Sequence, residues 1–129
     1  MKRVAPLLFA LAILLFSGCK KDVDPKVTSQ YITVQPSDWH YVSSNGAWTV
    51  NLTNYAITQD VLDNGTVQCF NVGTLGTGGE YLEPLPITLS GVDFLCFAYV
   101  GTEEIDVMNT SANAQFDVMK FKVVVTINK

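Results

Sequence analysis

The sequence predicts an all-β fold: a single antiparallel β-sandwich of about seven or eight strands. Three observations predict it. Apolar and polar residues alternate with a period of two, as in Trp48, Val50 and Leu52 against Thr49, Asn51 and Thr53. Turn residues interrupt the apolar runs at Asn45-Gly46, Asn64-Gly65 and Ser90-Gly91, where Gly and Asn permit positive φ. Past residue 30, no segment other than 58–65 carries a helical stripe. Two stacked sheets can each bury one face, which suits the alternation. An Ig-like (immunoglobulin-like) arrangement is the expected form, and a small closed β-barrel is the alternative.

The elements follow in chain order. Tyr31 to Gln35 reads as a first strand, ended by Pro36. Trp48 to Leu52 is a strand with one buried face. Residues 58–65 suit either a helical turn or a type I′ hairpin turn at Asn64-Gly65. The helical turn is favoured, with Thr58 as its cap, Asp60 near its N-terminus and Gly65 as its stop. Thr66 to Val72 is the next strand. Gly73 to Gly79 holds four glycines but neither a Lys nor a following helix pattern, so it is a mobile connection and not a phosphate loop. Glu83-Pro84-Leu85-Pro86 reads as a stiff extended loop. Phe94 to Val100 is apolar on both faces and is expected at the centre of a sheet, covered on both sides. Glu104 to Met108 follows after Gly101. Phe121, Val123, Val125 and Ile127 form one face of a long final strand, expected inside a sheet and not at its edge.

The N-terminus reads as a processing signal. Lys2 and Arg3 precede an uncharged run from Val4 to Phe16 that holds five leucines. As a helix that run rises about 20 Å, against about 30 Å of membrane hydrocarbon, and so suits a signal peptide better than a span. It ends in Leu15-Phe16-Ser17-Gly18-Cys19, which resembles a lipoprotein signal box, with Phe16 a bulky departure. Residues 1–18 are thus expected to be cleaved and Cys19 to carry lipid, palmitate included. Residues 19–29 read as the lipidated Cys and a flexible tether, and residues 30–129 as the β-sandwich domain. Lys20-Lys21-Asp22-Val23-Asp24 loosely resembles the export signals that take Bacteroidota lipoproteins to the outer face of the outer membrane. The expected address is the outer membrane, anchored through lipid: the cell surface, or otherwise facing the periplasm.

Charge excludes several partners. The whole chain carries a formal net charge of −4, which becomes −6 once Lys2 and Arg3 are removed. Between Lys26 and Lys120 there is no Lys or Arg, but there are ten acids. Nucleic-acid binding needs cations that displace counterions, and none are available there. Bidentate Arg recognition of phosphate is likewise excluded across that stretch.

Cys69 and Cys96 both sit in apolar strand-like runs, where they are either a disulfide or two buried thiols. One His, His40, and no Cys-x-x-Cys pair fall short of the four N or S ligands of a structural zinc site. Neither a metal nor another cofactor is expected. Calcium is the one ion the acids suit, and Asp60-x-x-Asp63 and Glu103-Glu104-Ile105-Asp106 follow no defined ligand spacing. Catalytic residues are not expected either. His40 beside Asp38 lacks a motif-tied nucleophile. The acid groups Asp60 with Asp63, Glu80 with Glu83, and Glu103 and Glu104 with Asp106 are no more than the close pairs that an acidic chain yields by chance, and a sandwich this small rarely holds a sugar-sized cleft between such groups. Aromatic rings are the remaining candidates for ligand contact. Trp48 is assigned to the core by its place in the alternation. Trp39, Tyr55 and Tyr81 lie near Pro, Asn or Gly and are expected to be exposed, able to stack on the C–H faces of sugars.

Four stretches together carry a resemblance. Ile57-Thr58-Gln59-Asp60-Val61-Leu62-Asp63-Asn64-Gly65-Thr66-Val67, taken with Leu85-Pro86, Leu95 to Tyr99 and Phe121-Lys122-Val123-Val124-Val125, resembles small Bacteroidota lipoproteins of unknown function with a β-sandwich domain. The resemblance implies an architecture and an envelope location, and no chemistry. The functional expectation is a non-catalytic module, held at the membrane by its N-terminal lipid, that binds a glycan or protein ligand. A structural or assembly subunit of an envelope complex is the alternative, and the oligomeric state is open.

Overall fold

A computed structural model describes residues 24–128. Residues 1–18, expected as a signal peptide, Cys19 and the start of the expected tether lie outside the described residues. The strands are β1 (Lys26–Val34), β2 (His40–Val42), β3 (Ala47–Thr53), β4 (Gly65–Thr74), β5 (Glu80–Pro84), β6 (Ile87–Leu89), β7 (Val92–Tyr99), β8 (Thr102–Met108) and β9 (Met119–Ile127). They form two antiparallel sheets, ordered β1-β9-β4-β5 and β2-β3-β8-β7-β6. The sheets pack face to face as an open sandwich, not a closed barrel, as the alternation predicts. β2 and β6, three residues each, and β5 raise the strand number above expectation.

The core lies between the sheets. Phe121, Val123 and Val125 of β9 face Val50, Leu52, Ile105 and Val107 of β3 and β8, and all are buried. β9 sits between β1 and β4, so the long closing strand is internal as expected. β1 begins at Lys26, inside the stretch expected as tether, and pairs with β9 along its full length.

Residues 58–65 form the favoured helical turn, α1 (Gln59–Asn64). The Thr58 hydroxyl accepts a hydrogen bond from the Val61 N–H at 3.3 Å, and Val61 points into the core. Gly65 is the extended residue that follows the helix, and it is glycine for a steric reason. A Cβ there would collide with the backbone carbonyl of Thr126 on β9.

Three expectations need correction. Gly73 to Gly79 is not a free connection. Gly73 and Thr74 belong to β4, and the Leu75 N–H donates to the Gly79 carbonyl at 2.6 Å, closing a β4–β5 hairpin. Glu83 and Pro84 are not loop residues but the end of β5, an edge strand, where a proline costs no ladder bond. β7 is not covered on both sides. Its inward residues pack in the sandwich, but Phe97 and Tyr99 on its outer side are 42% and 49% exposed. A strand apolar on both faces needs a third layer to cover it, and this two-layer fold supplies none over those rings.

Candidate functional site

The outer face of the five-stranded sheet is built by strand parity. Along β7, Leu95, Phe97 and Tyr99 point away from the core. Their register partners on β8 are Asp106, Glu104 and Thr102, and the next row on β3 is Thr49, Asn51 and Thr53. Aromatic rings thus stand beside carboxylates, hydroxyls and an amide on one surface. Asp106 is buried in this layer and accepts a hydrogen bond from the Thr49 hydroxyl at 2.7 Å. Glu104 has its pKa raised, first by partial burial and then by the neighbouring Asp106 charge. A groove of about 310 Å³ continues the face toward β6, lined by Thr88, Asp93, Leu95, Met108 and Asn109. Asp93 is fixed there by the Thr88 hydroxyl, which donates at 2.6 Å, and by the Asn109 amide. No lysine or arginine lies on any strand of this sheet.

A second cluster lies between the sheets. Cys69 on β4, Cys96 on β7 and Glu103 on β8 all point inward, and their sulfur and carboxylate oxygen atoms lie within 4.8 Å of one another. Both cysteines are free thiols. Glu103 is 0% exposed, and neither of its carboxylate oxygens has a hydrogen-bond partner. Burial pushes its pKa from an ordinary 4.5 up to about 7. The Cys69 thiol is held well above the usual thiol range, first by its hydrogen bond with Cys96 and then by burial. A cleft of about 180 Å³ between β4, β7 and the Pro84–Leu85 corner is lined by both cysteines.

The aromatics singled out from sequence separate. Trp39 is not exposed: at 4% it is a core residue, stacked on Phe116 with ring centroids 4.8 Å apart and edge-on to Phe121. The turn at Pro36–Asp38 swings it inward, and the segment after β8 closes over it. Tyr55, 85% exposed, lies in the turn after β3, and Tyr81, 41% exposed, on β5 of the other sheet. With Trp39 in the core, the three rings form no shared platform. Trp48, expected in the core, is only partly buried and packs against the core's margin, and its indole N–H donates to the Ser111 carbonyl at 2.9 Å. His40 is exposed on edge strand β2.

The acid groups also disperse. Asp60 and Asp63 accept hydrogen bonds from Asn64 and Gln59 within α1, at 2.9 Å each. Glu80 pairs with Lys120, and Glu83 accepts from the Asn71 amide at 2.9 Å. Glu103 and Glu104 point to opposite sides of β8. Sequence reasoning missed the outer row of Phe97 and Tyr99 and the inward Glu103. The signal for both was parity: Phe97 and Tyr99 share it with Leu95, and Glu103 shares it with Ile105 and Val107.

Comparison with protein families, curated proteins and solved structures finds no match to this chain.

Proposed function

We propose that this chain is a lipid-anchored envelope protein whose sandwich domain binds a neutral glycan without transforming it. The observation that carries the reading is the uncovered row of Phe97 and Tyr99 beside Glu104 and Asn51. Flat rings take the C–H faces of sugars, and adjacent carboxylate and amide groups take their hydroxyls. A sheet without cations argues for an uncharged ligand over a sulfated or uronic one. The anchor rests on Lys2, Arg3, the apolar run and the Leu15–Cys19 box, and the resemblance to Bacteroidota lipoproteins supports the same address.

Titration of neutral and anionic oligosaccharides into the purified protein tests the binding. Neutral glycans bind, and Tyr99→Ala or Phe97→Ala weakens binding at least tenfold while the fold is kept, in line with about 1–3 kcal/mol for a lost stacking ring. Indifference to both substitutions, or no neutral glycan bound, rejects this site. A mass that grows with concentration would favour an assembly role instead. Protease shaving of intact cells tests the address: loss of signal on a blot supports surface exposure, and full protection turns the reading toward a periplasm-facing domain.

A further inference from the structure

We infer that Cys69, Cys96 and Glu103 form a binding site for a borderline-soft divalent cation of the zinc type, at the interface of the two sheets. Three kinds of observation converge on it. The first is geometry. The two sulfur atoms and a carboxylate oxygen lie within 4.8 Å of one another, although they come from β4, β7 and β8 and from both sheets. Zinc bonds of about 2.3 Å to sulfur and about 2.0–2.2 Å to oxygen place tetrahedral ligands about 3.5 Å apart. A contraction of about 1 Å, within reach of side-chain rotation, closes the cluster on one ion.

The second is polar satisfaction. A carboxyl group buried with neither oxygen hydrogen-bonded is costly to keep in a core, and most buried polar atoms find a partner. The other atoms of the cluster are thiols, which are weak donors and poor partners for it. A cation satisfies the carboxylate and both sulfurs together.

The third is access. The cleft beside Leu85 and Pro84 is lined by both cysteines, which offers an ion an approach to the cluster, and three protein ligands leave a fourth position for water or an outside ligand.

The donor set selects the ion. Calcium and magnesium take oxygen ligands and would leave two sulfurs idle. Copper(I) takes the sulfurs and leaves the carboxylate idle. Two thiolates and one carboxylate suit zinc, which accepts both ligand types. Binding releases one proton from each thiol and one from the carboxyl group. The bound cluster then carries a net charge of −1: one dication against three anionic ligands. The same ion ties β4 in one sheet to β7 and β8 in the other, a cross-sheet staple. The site is separate from the outer face proposed for the glycan, because Glu103 and Glu104 point to opposite sides of β8.

The test uses the full chain with Cys19→Ser, so that the two remaining thiols are those of the site, purified reduced in detergent. Cobalt(II) serves as the spectroscopic probe and zinc as the competitor. One equivalent of cobalt gives a thiolate-to-metal charge-transfer band and the strong visible bands of tetrahedral geometry, and one equivalent of zinc bleaches them. Cys69→Ser and Cys96→Ser each cut the charge-transfer band to half or less, and the double variant abolishes it. Glu103→Gln keeps it but weakens zinc binding at least tenfold. Zinc raises the thermal midpoint of the parent chain and not of the cysteine variants. A folded parent chain that binds no cobalt overturns the site, as does a band left at full strength by Cys69→Ser or surviving the double variant. So does protein recovered from zinc-supplied envelopes with the two cysteines oxidised to each other.

Discussion

Tyr81 lies across Gly73, its register partner on the neighbouring strand, so closely that a Cβ on Gly73 would overlap the ring. The contact explains why the β4–β5 hairpin holds a glycine inside a strand, where glycine is otherwise unfavourable. It also gives Tyr81 a packing role that competes with ligand binding. Gly73→Ala is therefore expected to destabilise the domain by about 1–3 kcal/mol, the usual cost of forcing volume into a filled site. In a Tyr81→Ala background the same substitution costs less than half as much. A double-mutant cycle by denaturant unfolding measures the coupling. Additive effects would mean that the ring moves aside freely.

Sequence reasoning succeeded where one strand face meets the core. The alternation in Trp48–Leu52 and in Phe121–Ile127 sets which residues face the core, because β3 and β9 each have a core-facing side in a two-layer fold, although Thr49 on the outer side is buried as well. It failed where the answer depends on a neighbour distant in sequence. Both faces of β7 are apolar, and nothing local says that the outer one goes uncovered. Trp39 sits among polar residues and proline, and it is buried by Phe116 from the far side of the chain. Cys69, Cys96 and Glu103 each have readable inward parity, but their meeting is a product of sheet stacking. The adjacent Glu103-Glu104 pair reads as solvated surface when parity is ignored.

The two aromatics Trp39 and Tyr55 should separate cleanly on truncation. Trp39→Ala removes a fully packed ring stacked on Phe116 and is expected to cost about 3–5 kcal/mol. Tyr55→Ala removes an 85% exposed ring and should change stability by no more than about 0.5 kcal/mol. Chemical denaturation of both variants decides. Equal costs would contradict the burial of Trp39.

Glu103 should make the reduced, metal-free chain sensitive to alkali. Burial raises its folded pKa to about 7, above the ordinary 4.5 of the unfolded chain. A raised acid binds its proton more tightly in the native state. Its contribution is therefore complete below pH 4.5, declines as pH rises, and is lost above about pH 7. The groups facing it are the Cys69 and Cys96 thiols, from β4 and β7. The loss between pH 4.5 and 8 amounts to about 3 kcal/mol. Unfolding free energies at pH 5 and pH 8 should differ by about 2.5 kcal/mol in the parent and much less in Glu103→Gln. The acids exposed elsewhere are common to both chains and cancel. Identical pH profiles for parent and variant would remove Glu103 as the cause.

Asp106 is the one carboxylate of the outer face that is buried, and the Thr49 hydroxyl is its bonded donor from β3. Thr49→Val keeps the shape and removes the donor, leaving a buried charged group short of a partner. The expected cost is about 1–3 kcal/mol, since a hydrogen bond to a charged group exceeds a neutral one. Thr49→Ser keeps the hydroxyl and should recover most of that loss. Thr49→Val in an Asp106→Asn background should cost less than in the parent, because the stranded charge is gone. Stability curves for the five chains, parent included, test this. A Thr49→Val cost that is unchanged by Asp106→Asn would mean that the Thr49 hydroxyl does not act through the Asp106 charge, and that the outer face is not organised around that carboxylate.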